Sequence, residues 1–308
     1  MKAGRLWPRL GSQHRRHWPR GLPGLAALML AACSEPEPTS AARLAAVDVL
    51  HAQVQNNAEA AADLAPLLTI DHARLAAETG AHMPPARVSL IQAVDVELAL
   101  VARDPRTALD LPLRVLAFET PEGTAAVTFN DADYLTGRYG LDADLAALDG
   151  YRSALQALLQ GFPESAVQPF ASNRLKSSGV IEIVSDFDFD ETIERLRDSV
   201  MSQGDTVWFG DVDYRALAEE RGRSLPPATL LLFGAPEPGG KAMANAPTLG
   251  LDGFCQKLVV WQAANGSVRV AYNDLLVLAE RQGVGFNVPL RIIQYRLGST
   301  FEGAVYAD

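Results

Sequence analysis

The chain has 308 residues, nearly half of them hydrophobic, with 37 acidic against 27 basic residues and a net charge of −10. That length supports two cores of ordinary size, and the negative balance argues against nucleic acid as a partner, since such binding rests on neutralising phosphates with lysine and arginine. Two cysteines exclude a disulfide framework, so folding rests on apolar burial.

Residues 1–20 carry Lys2, Arg5, Arg9, Arg15, Arg16 and Arg20 and no acidic residue, the charge pattern of a secretory n-region. From Gly21 to Ala32 the chain turns apolar, over a stretch too short to span the roughly 30 Å hydrocarbon core of a bilayer. It reads as a cleavable segment. Leu30-Ala31-Ala32-Cys33 resembles the lipobox of bacterial lipoproteins, which implies a signal peptide over 1–32, lipidation of Cys33, and the lipid bilayer as a partner through the acylated cysteine. Ser34 after the cysteine, in place of aspartate, implies an outer-membrane lipoprotein facing the periplasm, with the inner membrane as the alternative. Residues 33–40 form a polar, lipidated linker. Removing 1–32 takes away six basic residues and leaves 21 against 37 acidic, a net of about −16.

The rest of the chain repeats itself. Ile70-Asp71-His72 and the eight residues after it recur as Val212-Asp213-Tyr214 and its sequel, each run ending in glycine, at Gly80 and Gly222. Pro84-Pro85-Ala86 matches Pro226-Pro227-Ala228, and Leu109-Asp110 matches Leu251-Asp252. One extra residue then shifts the frame, after which Phe129-Asn130-Asp131 meets Tyr272-Asn273-Asp274 and Arg138 meets Arg281. This is a duplicated domain, with a first repeat over 41–141, a helical linker over 142–178, a second repeat over 179–284 and a tail over 285–308.

In chain order, Ala41 to Gln55 reads as a helix, with no strand before it. The second repeat opens on an alternating strand, Val180 to Val184, followed by a helix capped by Asp190. Strands are expected at Thr206–Val212, Thr229–Phe233, Lys257–Gln262 and Ser267–Tyr272, the last two joined by an Asn265-Gly266 turn. A helix from Asp274 ends at Gly283. The tail is expected to be a strand, Leu290–Tyr295, filling the open edge of the first repeat. The fold class is α+β: a tandem repeat of a β-α-β(4)-α domain, with a mostly antiparallel sheet and helices on one face.

Leu232-Phe233-Gly234-Ala235-Pro236-Glu237-Pro238-Gly239-Gly240-Lys241-Ala242-Met243, then Leu251-Asp252, Val260-Trp261 and Tyr272-Asn273-Asp274, resembles the bacterial domain-of-unknown-function family 302. The resemblance covers Val180 to Val284 and, more faintly, Pro66 to Leu141. It implies a TATA-binding-protein-like α+β fold and no settled activity. The first repeat keeps the family's Ile-Asp-His as Ile70-Asp71-His72 but carries Gln92-Ala93-Val94-Asp95 where the glycine- and proline-rich loop falls; the second has Tyr214 at the histidine position.

The candidate ligand-binding residues are Phe233, Gly234, Pro236, Gly239, Gly240, Lys241 and Met243 of that loop, together with Asp71, His72, Asp213 and Tyr214. Two glycines let a backbone approach a ligand closely, and Lys241 adds a cation suited to a small anionic ligand. Capping explains Asp71 and Asp213 equally well. His51, His72 and His82 lack a metal-ligand spacing, so no metal and no cofactor is expected. No motif marks a catalytic residue. The function expected is a membrane-anchored envelope module that binds a small ligand or partner without catalysis; the alternative is an enzyme or thiol-redox protein using Cys255 or a cleft between the repeats.

Overall fold

The computed structural model describes residues 40–170 and 176–307, so the lipobox and Cys33 lie outside the described residues. The first repeat runs α1 (Ala41–Ala60), β1 (Ala65–Asp71), α2 (His72–Glu78), β2 (Ala86–Gln92), α3 (Val94–Arg103), a 3-10 turn at Pro105–Asp110, β3 (Leu113–Glu119), β4 (Ala125–Phe129) and α4 (Ala132–Tyr139), followed by α5 (Ala146–Leu158). The second runs β5 (Val180–Ser185), α6 (Phe189–Met201), β6 (Val207–Asp213), α7 (Tyr214–Glu220), β7 (Ala228–Gly234), α8 (Pro236–Met243), a 3-10 turn at Pro247–Gly250, β8 (Gln256–Gln262), β9 (Val268–Asn273) and α9 (Leu275–Arg281), followed by α10 (Val288–Val305). Both sheets are antiparallel, ordered β1-β2-β3-β4 and β5-β9-β8-β7-β6. The α+β class therefore holds for both repeats and the β-α-β(4)-α order for the second, with short helices inserted between the strands; among the described residues the first lacks the opening strand.

The duplicated aspartates are helix caps. Asp71 accepts from the backbone N–H of Arg74, Asp213 from Ala216, Asp131 from Tyr134, and Asp274 from Leu276 and Val277. Each satisfies a donor that the first helical turn leaves open. Asp188, rather than Asp190, caps α6; Asp190 lies inside its first turn.

Three expectations are corrected. The tail is not a strand: Asn287 caps α10 and accepts from Leu290 N–H, and the helix turns Leu290, Ile293, Leu297 and Phe301 inward. The open edge at β4 is met instead by the segment 167–170, where Gln168 N–H donates to Val127 O at 2.9 Å beside a parallel bridge between Val127 and Val167. The supposed linker helix belongs to the first repeat, since the Tyr151 hydroxyl donates to Asn130 O and Asn57 Nδ2 donates to Leu158 O. Finally, the glycine-rich segment is helix α8, not a loop. A Cβ on Gly240 would stand 2.5 Å from Ala76 Cβ and 3.2 Å from Ala81 Cβ, so the missing side chain serves the close approach of α8 to α2.

The repeats meet through exchanged contacts: α2 packs on α8, and α3 on α7, the equivalent pair with the roles reversed. The 3-10 turn of each repeat packs on a central strand of the other. Among the described residues the first repeat opens on α1, with no counterpart of β5, so the two halves are not equivalent.

Candidate functional site

A polar seam lies between the repeats. Asp110 is fully buried and accepts from Arg114 at 2.8 Å, Arg138 at 2.6 Å and the Tyr139 hydroxyl at 2.6 Å. Burial pushes its carboxyl up, but the Arg138 and Arg114 guanidiniums and Tyr139 more than offset that and hold it at about 2. Arg138 also donates to Asn273 Oδ1 at 2.6 Å, Gly179 O at 3.2 Å and Ser178 O at 2.8 Å, so its donors are taken by residues of both repeats. Arg114 reaches Leu251 O at 3.1 Å. Charges this deep require such pairing.

The equivalent arginine is treated differently. Arg281 lies over the Tyr134 ring at 3.7 Å and is 5.3 Å from the centre of the Phe170 ring. It donates from Nη1 to Asp252 at 3.2 Å, and its side chain is 1% exposed. Its Nε and Nη2 have no partner. Beside it, Gln282 Nε2 donates to Asp252 Oδ1 at 2.8 Å, while Gln282 Oε1 is buried and unpaired, as is Thr128 Oγ1 on β4. Buried polar groups are rarely left in this state, and each open one costs roughly 1–3 kcal/mol.

Gln282, Thr128 and Phe170 border a groove of about 1030 Å³ between the repeats, with Lys241, Asn245 and Asn287 also on its wall. In the second repeat the carbonyls of Ser178 and Gly179, at the entry to β5, take donors of Arg138; the first repeat has no such strand among the described residues, and Arg281 keeps its donors.

Of the residues picked out by sequence, Lys241 is on this groove, exposed and paired with Glu237 at 2.6 Å. His72, Gly234, Pro236, Gly239 and Met243 converge instead on a small cavity of about 30 Å³ with Cys255, room for little more than a water molecule. There His72 Nε2–H donates to Gly250 O at 3.1 Å, and burial lowers its pKa to about 4. Burial pushes the Cys255 thiol up, the opposite of what a reactive thiolate needs. Gly240 packs on α2, and Phe233 stacks with Trp208 and meets the edge of Phe301. Tyr214 is buried, and burial together with the charge of Glu97 raises its pKa; Glu97 occupies in the first repeat the place of Gly239 in the second. Asp71 and Asp213 are caps and line neither space. Sequence reasoning missed Arg281, Gln282 and Thr128. The available signal was that Arg138 and Arg281, with Asp110 and Asp252, stay charged in both copies at buried positions while their neighbours diverge.

No group of three or more histidine, cysteine or acidic side chains among the described residues is placed to hold a metal ion, and none of their helices is long and apolar enough to cross a membrane.

The family described as "Domain of unknown function DUF302" matches residues 42–161 and 181–292, one match per repeat and together well over half of the chain. Among curated proteins, those named "Fluoride-specific ion channel FluC 1" from Brucella suis biovar 1 and from Brucella abortus biovar 1 are each 36% identical over 124 residues. That is 40% of this chain and 47% or 44% of those proteins, so the chain spans less than half the length of the relatives it matches. A solved structure, described as an uncharacterized conserved protein DUF302 from Bacillus stearothermophilus, aligns over 41% of this chain and 98% of its own, with 19% identity and a TM-score of 0.35.

Proposed function

Because the chain belongs to the DUF302 family, with two copies of its domain of unknown function, we propose that it is a membrane-tethered envelope protein that binds a small anionic ligand in the groove between its repeats. One observation carries the binding: the groove of about 1030 Å³ between the repeats has Lys241 on its wall, with Asn245 close by. Lys241 is exposed there and supplies a cation with rotatable donors, and the Asn245 amide supplies a neutral donor for an anion's oxygens. No catalytic step is assigned, because the one thiol of the described residues is held in its neutral form by burial.

The ligand test is a thermal-shift panel of benzoate, inorganic phosphate and fluoride, the last included because of the name carried by the Brucella relatives. A ligand that binds only the folded state raises its stability by mass action. At least one probe is expected to raise the melting temperature of the wild-type chain, and Lys241→Met, which removes the cation from the groove wall, is expected to remove that rise. An undiminished rise in the variant overturns the assignment.

The tether rests on the lipobox and on the polar linker after it. Cys33→Ser in the full chain is expected to move the protein from the detergent phase to the aqueous phase with its melting temperature unchanged. Partitioning identical to wild type would remove the tether from this reading.

A further inference from the structure

The small cavity beside α2 and α8 has one imidazole and two sulfur side chains in its wall: His72 from the first repeat, Met243 and Cys255 from the second. Histidine, cysteine and acidic side chains alone form no metal-holding group among the described residues; the methionine completes this one. A space of about 30 Å³ seats a single water or ion, so the side chains around it share one occupant. A Cβ on Gly250 would stand 2.6 Å from His72 Cδ2 and 2.9 Å from Nε2, which puts that edge of the ring on Gly250, and Nε2–H donates to the Gly250 carbonyl at 3.1 Å. The lone pair is therefore on Nδ1, at the opposite edge. A backbone carbonyl on the far nitrogen is the common support of a metal-binding histidine. Met243 turns its thioether end this way, since its Cε is 3.9 Å from where a Cβ of Gly239 would be, and Gly239 is itself in the cavity wall.

The donors are lost together at the twin position. His72, Gly239 and Met243 correspond to Tyr214, Glu97 and Val101. Gln256 pairs with Phe233 as Leu113 pairs with Ile91, which matches Cys255 to Pro112. Packing ties none of these exchanges to the others, whereas a shared occupant ties them all. Charge selects the ion: Lys257 and Arg114 lie near enough to act on Cys255, so a divalent ion would add net charge to a buried, already cationic place, while a monovalent ion and a thiolate cancel. Thioether and thiolate ligands favour Cu(I).

We propose that His72 Nδ1, Met243 Sδ and Cys255 Sγ bind one Cu(I) ion at the junction of the repeats. The thiol proton leaves as the Cu–S bond forms, Cu⁺ and the thiol giving the copper thiolate and H⁺ with no change of oxidation state. The site shares no wall residue with the anion-binding groove and does not depend on it.

Anaerobic titration of Cu(I)-bicinchoninate with the full chain carrying Cys33→Ser, which removes the other thiol, tests the proposal. One equivalent of Cu(I) per chain is expected to leave the chelator, and X-ray absorption of the product is expected to show two sulfur neighbours and one nitrogen. Met243→Leu, which nearly conserves volume, and His72→Gln, which keeps a donor for Gly250, are each expected to weaken retention at least about tenfold with the melting temperature of the copper-free protein unchanged. Copper that stays on the chelator, undiminished retention in either variant, or tighter binding of Zn(II) than of Cu(I) overturns the proposal. An absorption spectrum with nitrogen neighbours alone does so without any variant.

Discussion

Asp110→Asn is expected to lower the stability of the whole protein by about 3–5 kcal/mol, read as a shift in urea midpoint at unchanged slope. The carboxylate is fully buried and accepts from Arg114, Arg138 and Tyr139. Asparagine removes the countercharge of two guanidiniums that are almost entirely buried and turns an N–H₂ toward them. The pH dependence has a definite sign. With the folded carboxyl held at about 2 against an ordinary 3.8, this contribution is present above the ordinary carboxyl range and is lost as pH falls through about 2. It amounts to roughly 2 kcal/mol at about 1.4 kcal/mol per pH unit. Asp142→Asn is the control. Its partner Arg103 is 54% exposed and Asp142 itself 67% exposed, so a change of about 0–1 kcal/mol is expected. Equal losses from the two substitutions would mean that the seam does not hold the repeats together.

Glu97→Gln is expected to do the reverse and stabilise the protein. Glu97 is fully buried; Oε1 accepts from Ala93 N–H at 2.8 Å and Oε2 has no partner. Burial raises the carboxyl to about 8, opposed by the Ala93 hydrogen bond. The folded protein therefore holds a proton that the unfolded chain releases above about 4.5. Stability from this group is fully present below that value and drains away as pH rises toward about 8. At pH 7 the proton uptake costs roughly 3 kcal/mol. Glutamine fills the same volume, keeps the acceptor for Ala93 and needs no proton. The variant should match wild type near pH 4 and exceed it by roughly 3 kcal/mol at pH 7, measured by urea unfolding at both values. A difference independent of pH would show that Glu97 is not buried as a neutral acid.

Much of the fold was legible in the sequence because its signals are local. Alternation marks β5, Asp71, Asp213, Asp131 and Asp274 mark helix starts, and Asn265-Gly266 marks a hairpin. Helix α8 was not legible: two prolines and two glycines in eight residues oppose helix formation, and only the tight fit of Gly240 against Ala76 and Ala81 makes a small residue favourable there. The tail misled for a related reason, since Ile292-Ile293 suits a strand locally while the inward face of Leu290, Ile293, Leu297 and Phe301 has a helical period that is visible only over about three turns. The site was the least legible part. Its groups become informative through what they fail to touch, and an unpaired Nε or Oε1 leaves no trace in residue order.

Fusion of the repeats is what permits a β5 with no counterpart among the described residues of the first repeat. Two identical chains meeting through such exchanged contacts would form an isologous dimer, and each arginine would be bound to share the fate of its twin: both sealed into the interface, or both free. Joining the copies in one polypeptide lifts that requirement. One arginine can spend its donors on the seam while the other stacks on Tyr134 with two donors unpaired, and the stoichiometry expected of the fused protein is one ligand per chain.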